Sequence, residues 1–284
     1  MLRAYAASWL NRISIQNLSA LKNLNKIKKP LRGLRDKFFD KRERLAREWL
    51  NGTGLEIGAL HRPLKVSETV TVLYVDRVTR EHSIEKFPEL PAMDIVPVAI
   101  IDDGFELSSI EDDSYDFVVA NHVLEHSPNP IQVLANWVRV LRPNGILFVT
   151  IPVAERCFDK GRHLTTIEHL KDDYQLYLND AEDEMLERNR EHLREWINIS
   201  ERAIYEERDP DYLHPTSGEI ERRVKNEDMA ACEMHYHTFS RESYRELLAY
   251  FATTIATYVA VEEVIQNSSE IISILRRKSA KHAV

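Results

Sequence analysis

The sequence has only two cysteines, Cys157 and Cys232, far apart in 284 residues. That excludes a disulfide framework and a paired-cysteine zinc site, and it fits a reducing compartment such as the cytoplasm. No apolar run approaches the roughly 20 residues that cross a bilayer. The segment Ala4–Leu10 is apolar, but Asn11 and Arg12 cut it shorter than a secretory h-region. There is no G-x-G-x-x-G, so a dinucleotide pyrophosphate has no cradle, which argues against NAD or FAD. Acidic residues are missing from the first 35 positions, Asp36 being the first.

What is present is distributed unevenly. Residues 1–50 carry 13 Lys/Arg and 4 Asp/Glu, and the remainder therefore has 38 − 13 = 25 basic and 46 − 4 = 42 acidic residues. A body this acidic is a poor partner for phosphate backbones, so a nucleic-acid substrate is disfavoured. Residues 1–32 read as a basic amphipathic arm: Leu2, Ala6, Trp9, Ile13, Ala20, Leu24 and Ile27 recur at roughly helical spacing. Such an arm suits the inner face of an anionic membrane, a partner protein or a second copy of the chain, and the spacing does not choose among them. Lys28-Lys29-Pro30 ends it.

A helix is expected over Asp36–Leu50, and then strands over Gly54–Ile57, Val70–Val75, Ile95–Ile101, Tyr115–Ala120 and Ile146–Ile151, separated by helical or irregular segments. That alternation predicts an α/β fold, a parallel sheet with helices on both faces. The best-marked helix follows Ser127-Pro128-Asn129-Pro130. Asn129 is its cap, Pro130 suits its first turn, Ile131, Leu134, Val138 and Leu141 form its apolar stripe, and Arg142-Pro143-Asn144-Gly145 ends it. A charged helical insertion is expected at about 155–235, densest over Lys171–Glu207. A helix over Ser240–Phe251 and strands over Thr254–Ile265 and Glu270–Leu275 close the chain.

Two stretches carry a family likeness. The first is Leu55–Pro63, LEIGALHRP, a strand that stops on an acid and a glycine. The second is Tyr115–Pro152, YDFVVANHVLEHSPNPIQVLANWVRVLRPNGILFVTIP. Together they resemble the class I S-adenosylmethionine (SAM)-dependent methyltransferases, in particular the branch found beside glycosyltransferases in bacterial polysaccharide gene clusters, over most of the chain from about Arg35. The resemblance implies a Rossmann-like seven-stranded sheet with a final antiparallel hairpin, SAM as cofactor, and methylation of a sugar oxygen in a surface polysaccharide or its precursor. Two rival readings are a non-catalytic SAM-fold scaffold for glycosyltransferases and a small-molecule methyltransferase of secondary metabolism.

The residues bear this out at the level of chemistry. Glu56 and Gly58 end the first strand, and glycine lets backbone approach a ligand closely. Asp76 closes the second strand, where an acid can accept both hydroxyls of a ribose. Asp102 and Asp103 follow the third strand, where the resemblance implies a carboxylate on the adenine amino group. The family loop usually has a second glycine where this chain has Leu60. Asn121, His122, Glu125 and His126 follow the fourth strand, and ligands of open α/β sheets bind outside the carboxyl ends of the strands. An alcohol acceptor must lose a proton, so His122, Glu125, His126 and His237 are the catalytic candidates. In a strand, His235 and His237 would share one side. Glu125-His126 also resembles part of the E-x-x-E-H divalent-metal motif of some 2′-O- and ubiquinone-pathway methyltransferases, with His122 at the first acidic position. A lone short motif does not favour a metal, and no metal ligand is assigned.

Overall fold

The computed structural model describes residues 41–229 and 232–279. The arm read over 1–32 and the start of the helix read over Asp36–Leu50 lie outside the described residues; within them, helix α1 covers residues 41–49. The strands are β1 (Thr53–Ile57), β2 (Thr71–Asp76), β3 (Val98–Ile101), β4 (Tyr115–Asn121), β5 (Leu141–Pro152), β6 (Val259–Asn267) and β7 (Glu270–Arg277). They form one seven-stranded sheet in the order β3-β2-β1-β4-β5-β7-β6. β1 to β5 run parallel, and β7 is antiparallel to both its neighbours. This is the Rossmann-like methyltransferase sheet expected from the sequence.

The central strands read as unbroken apolar runs because both faces are covered. Along β4, Val118 and Ala120 join the larger core with Leu147, Val149, Ile131, Leu134 and Val138. Phe117 and Val119 point the other way, to Ile146, Phe148, Ile272, Ile274 and Leu45 and Leu50 beside them. Gly54 is required at the start of β1, since a Cβ there would lie 2.4 Å from the Phe117 ring.

The helices after α1 are α2 (Arg80–Lys86), α3 (Pro130–Arg139), α4 (Ile167–Leu178), α5 (Glu182–Trp196), α6 (Arg202–Arg208), α7 (Ser217–Asn226) and α8 (Arg241–Tyr250). Asn129 caps α3 by accepting from the Gln132 amide at 3.2 Å, with Pro130 in the first turn. Trp137, fully buried on α3, donates to the Gly104 carbonyl at 2.7 Å and so fastens the loop after β3.

Boundaries moved where tertiary pairing outweighs local pattern. α3 ends at Arg139, not at Arg142-Pro143-Asn144-Gly145. Leu141 belongs to β5, where it pairs with Tyr115 ahead of a register shift, and its side chain still enters the core that α3 covers. β3 begins at Val98 because Ile95 is drawn into a separate cluster with Leu60, Phe87 and Leu90. β6 begins at Val259, not Thr254, because Phe251–Ile255 continues α8 as a π turn that buries Phe251.

α4 to α7 follow β5. A π segment, Ile197–Glu201, joins α5 to α6. These helices have a core of their own, which includes Phe158, Leu193, Trp196, Ile197, Ile220, Val224 and Tyr236. Trp196 is therefore packing, not a platform for a ligand. The chain returns to the sheet where the Tyr236 and His237 amides donate to the Glu125 carbonyl at 2.9 and 3.3 Å.

Candidate active site

The carboxyl ends of β1, β2, β3 and β4 lie side by side, and each carries an expected polar residue. Glu56 is buried and shapes the turn after β1: its carboxylate accepts from the Leu64 amide, 3.0 Å to each oxygen, and from Asn121 Nδ2 at 3.2 Å. Asn121 in turn accepts from Thr150 Oγ1 at 3.0 Å. Gly58 has φ +57° and its amide donates to Val75 O at 2.8 Å, tying the turn to β2. Leu60, in the position of the missing glycine, also sits at positive φ, +50°. The backbone there keeps the left-handed turn a glycine would favour. The leucine side chain offsets its strain by burial against Phe87, Leu90 and Ile95.

Asp76 is half-buried at the end of β2, and its carbonyl accepts from the Asp102 amide at 3.1 Å. Asp102 turns into its own loop. One oxygen accepts from the Asp103 amide at 2.7 Å, and the other from the Ser109 amide and hydroxyl at 2.9 and 2.6 Å. Partial burial works to raise this carboxyl, but the bonds from Ser109, Asp103 and Ser108 hold it below its ordinary value. Asp103 accepts from the Phe105 amide at 2.8 Å and pairs with Arg77 at 3.0 Å. Beside them Ile101, 58% exposed, offers an apolar surface at the end of β3. Its signal in sequence was only that an apolar strand runs straight into two acids.

After β4 the chain makes a strained turn. His122 has φ +54°, a conformation that non-glycine residues seldom hold without a compensating environment. Its amide donates to Thr150 O at 2.8 Å. Its ring lies between two carboxylates: Nε2 is 3.1 Å from Glu270 Oε2, and Nδ1 is 3.5 Å from Glu125 Oε1. Arg42, on α1, donates to His122 Nε2 at 2.9 Å and pairs with Glu270. With Arg42 donating to Nε2, the ring proton of the neutral imidazole is assigned to Nδ1, facing Glu125. Arg42 and Glu270 are functional candidates missed in the sequence. Each lies far along the chain from the motif it touches.

Glu125 is fully buried. Burial works to raise its carboxyl, but His122, His126 and His235 outweigh it and hold the group below its ordinary value. His126 donates from Nδ1 to the Met234 carbonyl at 2.9 Å. Burial first, then the His235 ring at 4.6 Å, hold its imidazole down at about 3. His235 and His237 do not share one side, because 235–238 is irregular chain and not a strand. His235 faces Asp159, 2.6 Å from Nδ1, and the Glu125–His126 pair. His237 joins His169, Asp173 and His192 instead. It is fully buried, its Nε2 lies 3.3 Å from the Pro128 carbonyl, and burial above all holds it down at about 4.

Behind these clusters, Arg162 is buried and donates to Asp159 at 3.2 Å, to the His235 and Tyr236 carbonyls at 2.7 and 3.1 Å, and to Glu195 at 3.0 Å. Ser200 adds a bond to Asp159 at 2.7 Å. The structure thus gathers His122, Glu125 and His126 on one turn, leaves His237 in the neighbouring cluster, and spreads Glu56, Gly58, Asp76, Asp102, Asp103 and Asn121 along the ends of β1 to β4.

Residues 51–149 match a family described as Methyltransferase domain. No curated protein matches the chain. Similar solved structures include a SAM-dependent methyltransferase from Thermotoga maritima, 14% identical over 87% of this chain and 95% of that one, with a TM-score of 0.39. Another is a SAM-dependent methyltransferase from Aquifex aeolicus, 12% identical over 91% and 96%, with a TM-score of 0.38. A third is the CurJ carbon methyltransferase, 16% identical over 84% of this chain, which spans 51% of that protein, with a TM-score of 0.38. The match to a methyltransferase domain runs from the residues before β1 into β5, and the antiparallel β6 and β7 complete the sheet beyond it.

Proposed function

We propose that the chain is a SAM-dependent methyltransferase that transfers a methyl group to a sugar hydroxyl of a cell-surface polysaccharide or of its lipid-linked or nucleotide-linked precursor. The observation that carries the oxygen acceptor is His122, held at the carboxyl end of β4 between the carboxylates of Glu125 and Glu270. SAM, when bound, supplies an electrophilic methyl on a sulfonium centre. The residues present fit it. Asp76 stands where a ribose diol would be held, Ile101 offers an apolar surface for the adenine, and the left-handed turn at Gly58 and Leu60 brings backbone close. Asp102 secures the loop that presents Asp103, so Asp103 is the better candidate for the adenine edge. Glu56 and Asn121 brace the turn after β1.

In this reading His122 would receive at Nε2 the proton that the acceptor hydroxyl gives up on methylation. Glu125, 3.5 Å from Nδ1, and Glu270 would stabilise the imidazolium by their charge. Arg42 must swing away from Nε2 for this, and its flexible stem on α1 permits it. His126 and His237 suit the role less, because each ring is committed to a backbone carbonyl and held far below neutral pH. The polysaccharide assignment rests on the resemblance of LEIGALHRP and the β4–β5 stretch to that branch.

Turnover assays with glycan and amine acceptors test the acceptor class, and mass spectrometry of the native glycan from strains with and without the protein tests the sugar. Loss of a methyl ether from the glycan is the expected result. Methylation of amines alone would favour the small-molecule reading. Isothermal titration should show weaker SAM binding by Asp76→Ala than by the parent, and equal affinities would remove Asp76 from the site.

A further inference from the structure

Of the buried clusters, one is built as a ligand set without its ligand. His126 gives its Nδ1 proton to the Met234 carbonyl at 2.9 Å, which leaves the Nε2 lone pair open. His235 is fixed the same way, its Nδ1 lying 2.6 Å from Asp159, itself held by Arg162 and Ser200. Each ring thus has one nitrogen oriented by an acceptor and the other directed inward, the arrangement that orients metal-binding imidazoles. Between them lies Glu125, fully buried. Among the described residues neither of its carboxylate oxygens accepts a hydrogen bond of ordinary length, the nearest ring nitrogen being His122 Nδ1 at 3.5 Å from Oε1. One ligand atom from each of Glu125, His126 and His235 lies within 4.8 Å of the other two. His235 Nε2 stands 4.0 Å from Glu125 Oε1, too far for a shared proton to bond both.

We propose that Glu125, His126 and His235 bind one divalent transition-metal cation, with Zn²⁺ the best match to two imidazoles and a carboxylate. Such a set gives three protein ligands and leaves a further position open. The cation neutralises the Glu125 carboxylate and ties the chain that returns from the helical insertion to the turn after β4. His122, 3.5 Å from the same Glu125 oxygen, is its neighbour. The proposal does not depend on the nature of the methyl acceptor. The sequence alone offered His122, Glu125 and His126 as the motif; His235 comes from the end of the insertion.

The neighbouring cluster of His169, Asp173, His192 and His237 lacks this character. Arg188 donates to His169 Nδ1 at 3.0 Å, so the proton of that ring lies on Nε2, and the same guanidinium approaches Asp173 at 3.5 Å. The Asp173 oxygens likewise accept no hydrogen bond among the described residues, but that carboxylate has a guanidinium as its counter-charge.

The full chain, dialysed against EDTA and then against chelator-free buffer, is titrated with Co²⁺ and separately with Zn²⁺. The expected result is one equivalent bound, visible calorimetrically and as Co²⁺ ligand-field absorption between visible bands, with Zn²⁺ displacing Co²⁺. His126→Gln and Glu125→Gln, checked for folding by circular dichroism, should each weaken binding at least about 100-fold. Asp159→Asn should weaken it about 10- to 100-fold, as loss of an orienting partner does. His169→Gln with His192→Gln should leave affinity unchanged. No stoichiometric binding by the parent protein at micromolar metal overturns the proposal. Binding that survives Glu125→Gln and His126→Gln but is lost with His169→Gln and His192→Gln overturns it as well, since the cation then sits in the other cluster.

Discussion

The two buried histidine–carboxylate clusters share the segment from His235 to His237 and differ in one charge. In one, Asp173 is met by His169 at 3.0 Å and by the Arg188 guanidinium at 3.5 Å. In the other, Glu125 is approached by the His122 and His235 rings at 3.5 and 4.0 Å, while the nearby Arg162 is bound to Asp159, Glu195 and two carbonyls. A buried carboxylate is costly unless something compensates it. The first cluster supplies compensation from its own chain and reads as a fastening between α4, α5 and the returning segment. The second surrounds its carboxylate with imidazole rings and no guanidinium, which leaves room for an outside cation beside the proposed reaction centre. Nearly the same residue types thus serve different ends, and the placing of one arginine separates them.

The largest expected effect is on turnover. His122→Ala should lower kcat about 10²- to 10⁴-fold, the usual worth of a positioned general base, with SAM affinity kept. His169→Gln, in the compensated cluster, should change kcat by no more than about threefold, a loss of the size a small repositioning gives. Formation of S-adenosylhomocysteine measures both. Equal losses in the two variants would mean that the clusters act as one site.

Next in size is the stability held by the two arginines. Arg162→Met removes the guanidinium from buried Asp159, leaving it to His235 and Ser200, and should cost about 3–5 kcal/mol, the penalty for breaking a buried pair. Arg188, 27% exposed at its side chain, lets solvent reach Asp173 once it is removed. Arg188→Met should cost about 1–3 kcal/mol, and Asp173→Asn in the same chain should recover part of that. Guanidinium unfolding curves measure all three. A larger loss from Arg188→Met than from Arg162→Met would reverse the comparison.

A smaller effect tests the sign of the carboxylates themselves. In EDTA-treated protein, Glu125→Gln removes a charge that no arginine compensates, so it should change stability by less than about 1 kcal/mol or raise it. Asp173→Asn unpairs Arg188 and His169 and should cost about 1–3 kcal/mol. A large loss from Glu125→Gln in the metal-free state would show that His122 and His235 already satisfy the carboxylate.

How far the sequence reaches follows the same division. The strands of the parallel half were legible because a sheet buried on both faces leaves continuous apolar runs, and the helix after β4 because Asn129-Pro130 marks a helix start by its own chemistry. Leu141 was misplaced since its rung with Tyr115 is a contact between strands that helical spacing does not record. Glu125 and His126 could be singled out because they follow β4 directly. Arg42, Asp159, Asp173, His192 and His235 reach the clusters from α1, the loop after β5, α4, α5 and the returning segment. Their function lies in pairings across long stretches of chain, and only folding brings them together. Asp102 shows the converse: its position at a strand end was evident, but its bonds to Ser109 turn it to shaping the loop.

The smallest expected effect is a change in pH dependence, and it probes the compensated cluster alone. Burial first, then the neighbouring His237 and His169, hold the His192 imidazole well below its usual 6.5. The ring therefore stays neutral in the fold while the unfolded chain takes up a proton as pH falls below about 6.5. The unfolded state then binds more protons, so stability rises with pH across this range. The contribution is fully present above the unfolded value and is lost as pH falls toward the folded one. One such group gives a slope of up to about 1.4 kcal/mol per pH unit, and His237, held at about 4 chiefly by burial, acts in the same sense. The groups facing these rings from α4 and α5 are His169, Asp173 and Arg188, and Arg188 opposes a second positive charge there. His192→Gln should flatten the stability curve between pH 6.5 and pH 5 by about 1.4 kcal/mol per unit, read from guanidinium midpoints over a pH series. Parallel curves for parent and variant would mean that His192 is protonated in the fold, that Asp173 has two cationic partners, and that the charge asymmetry between the clusters is wider still.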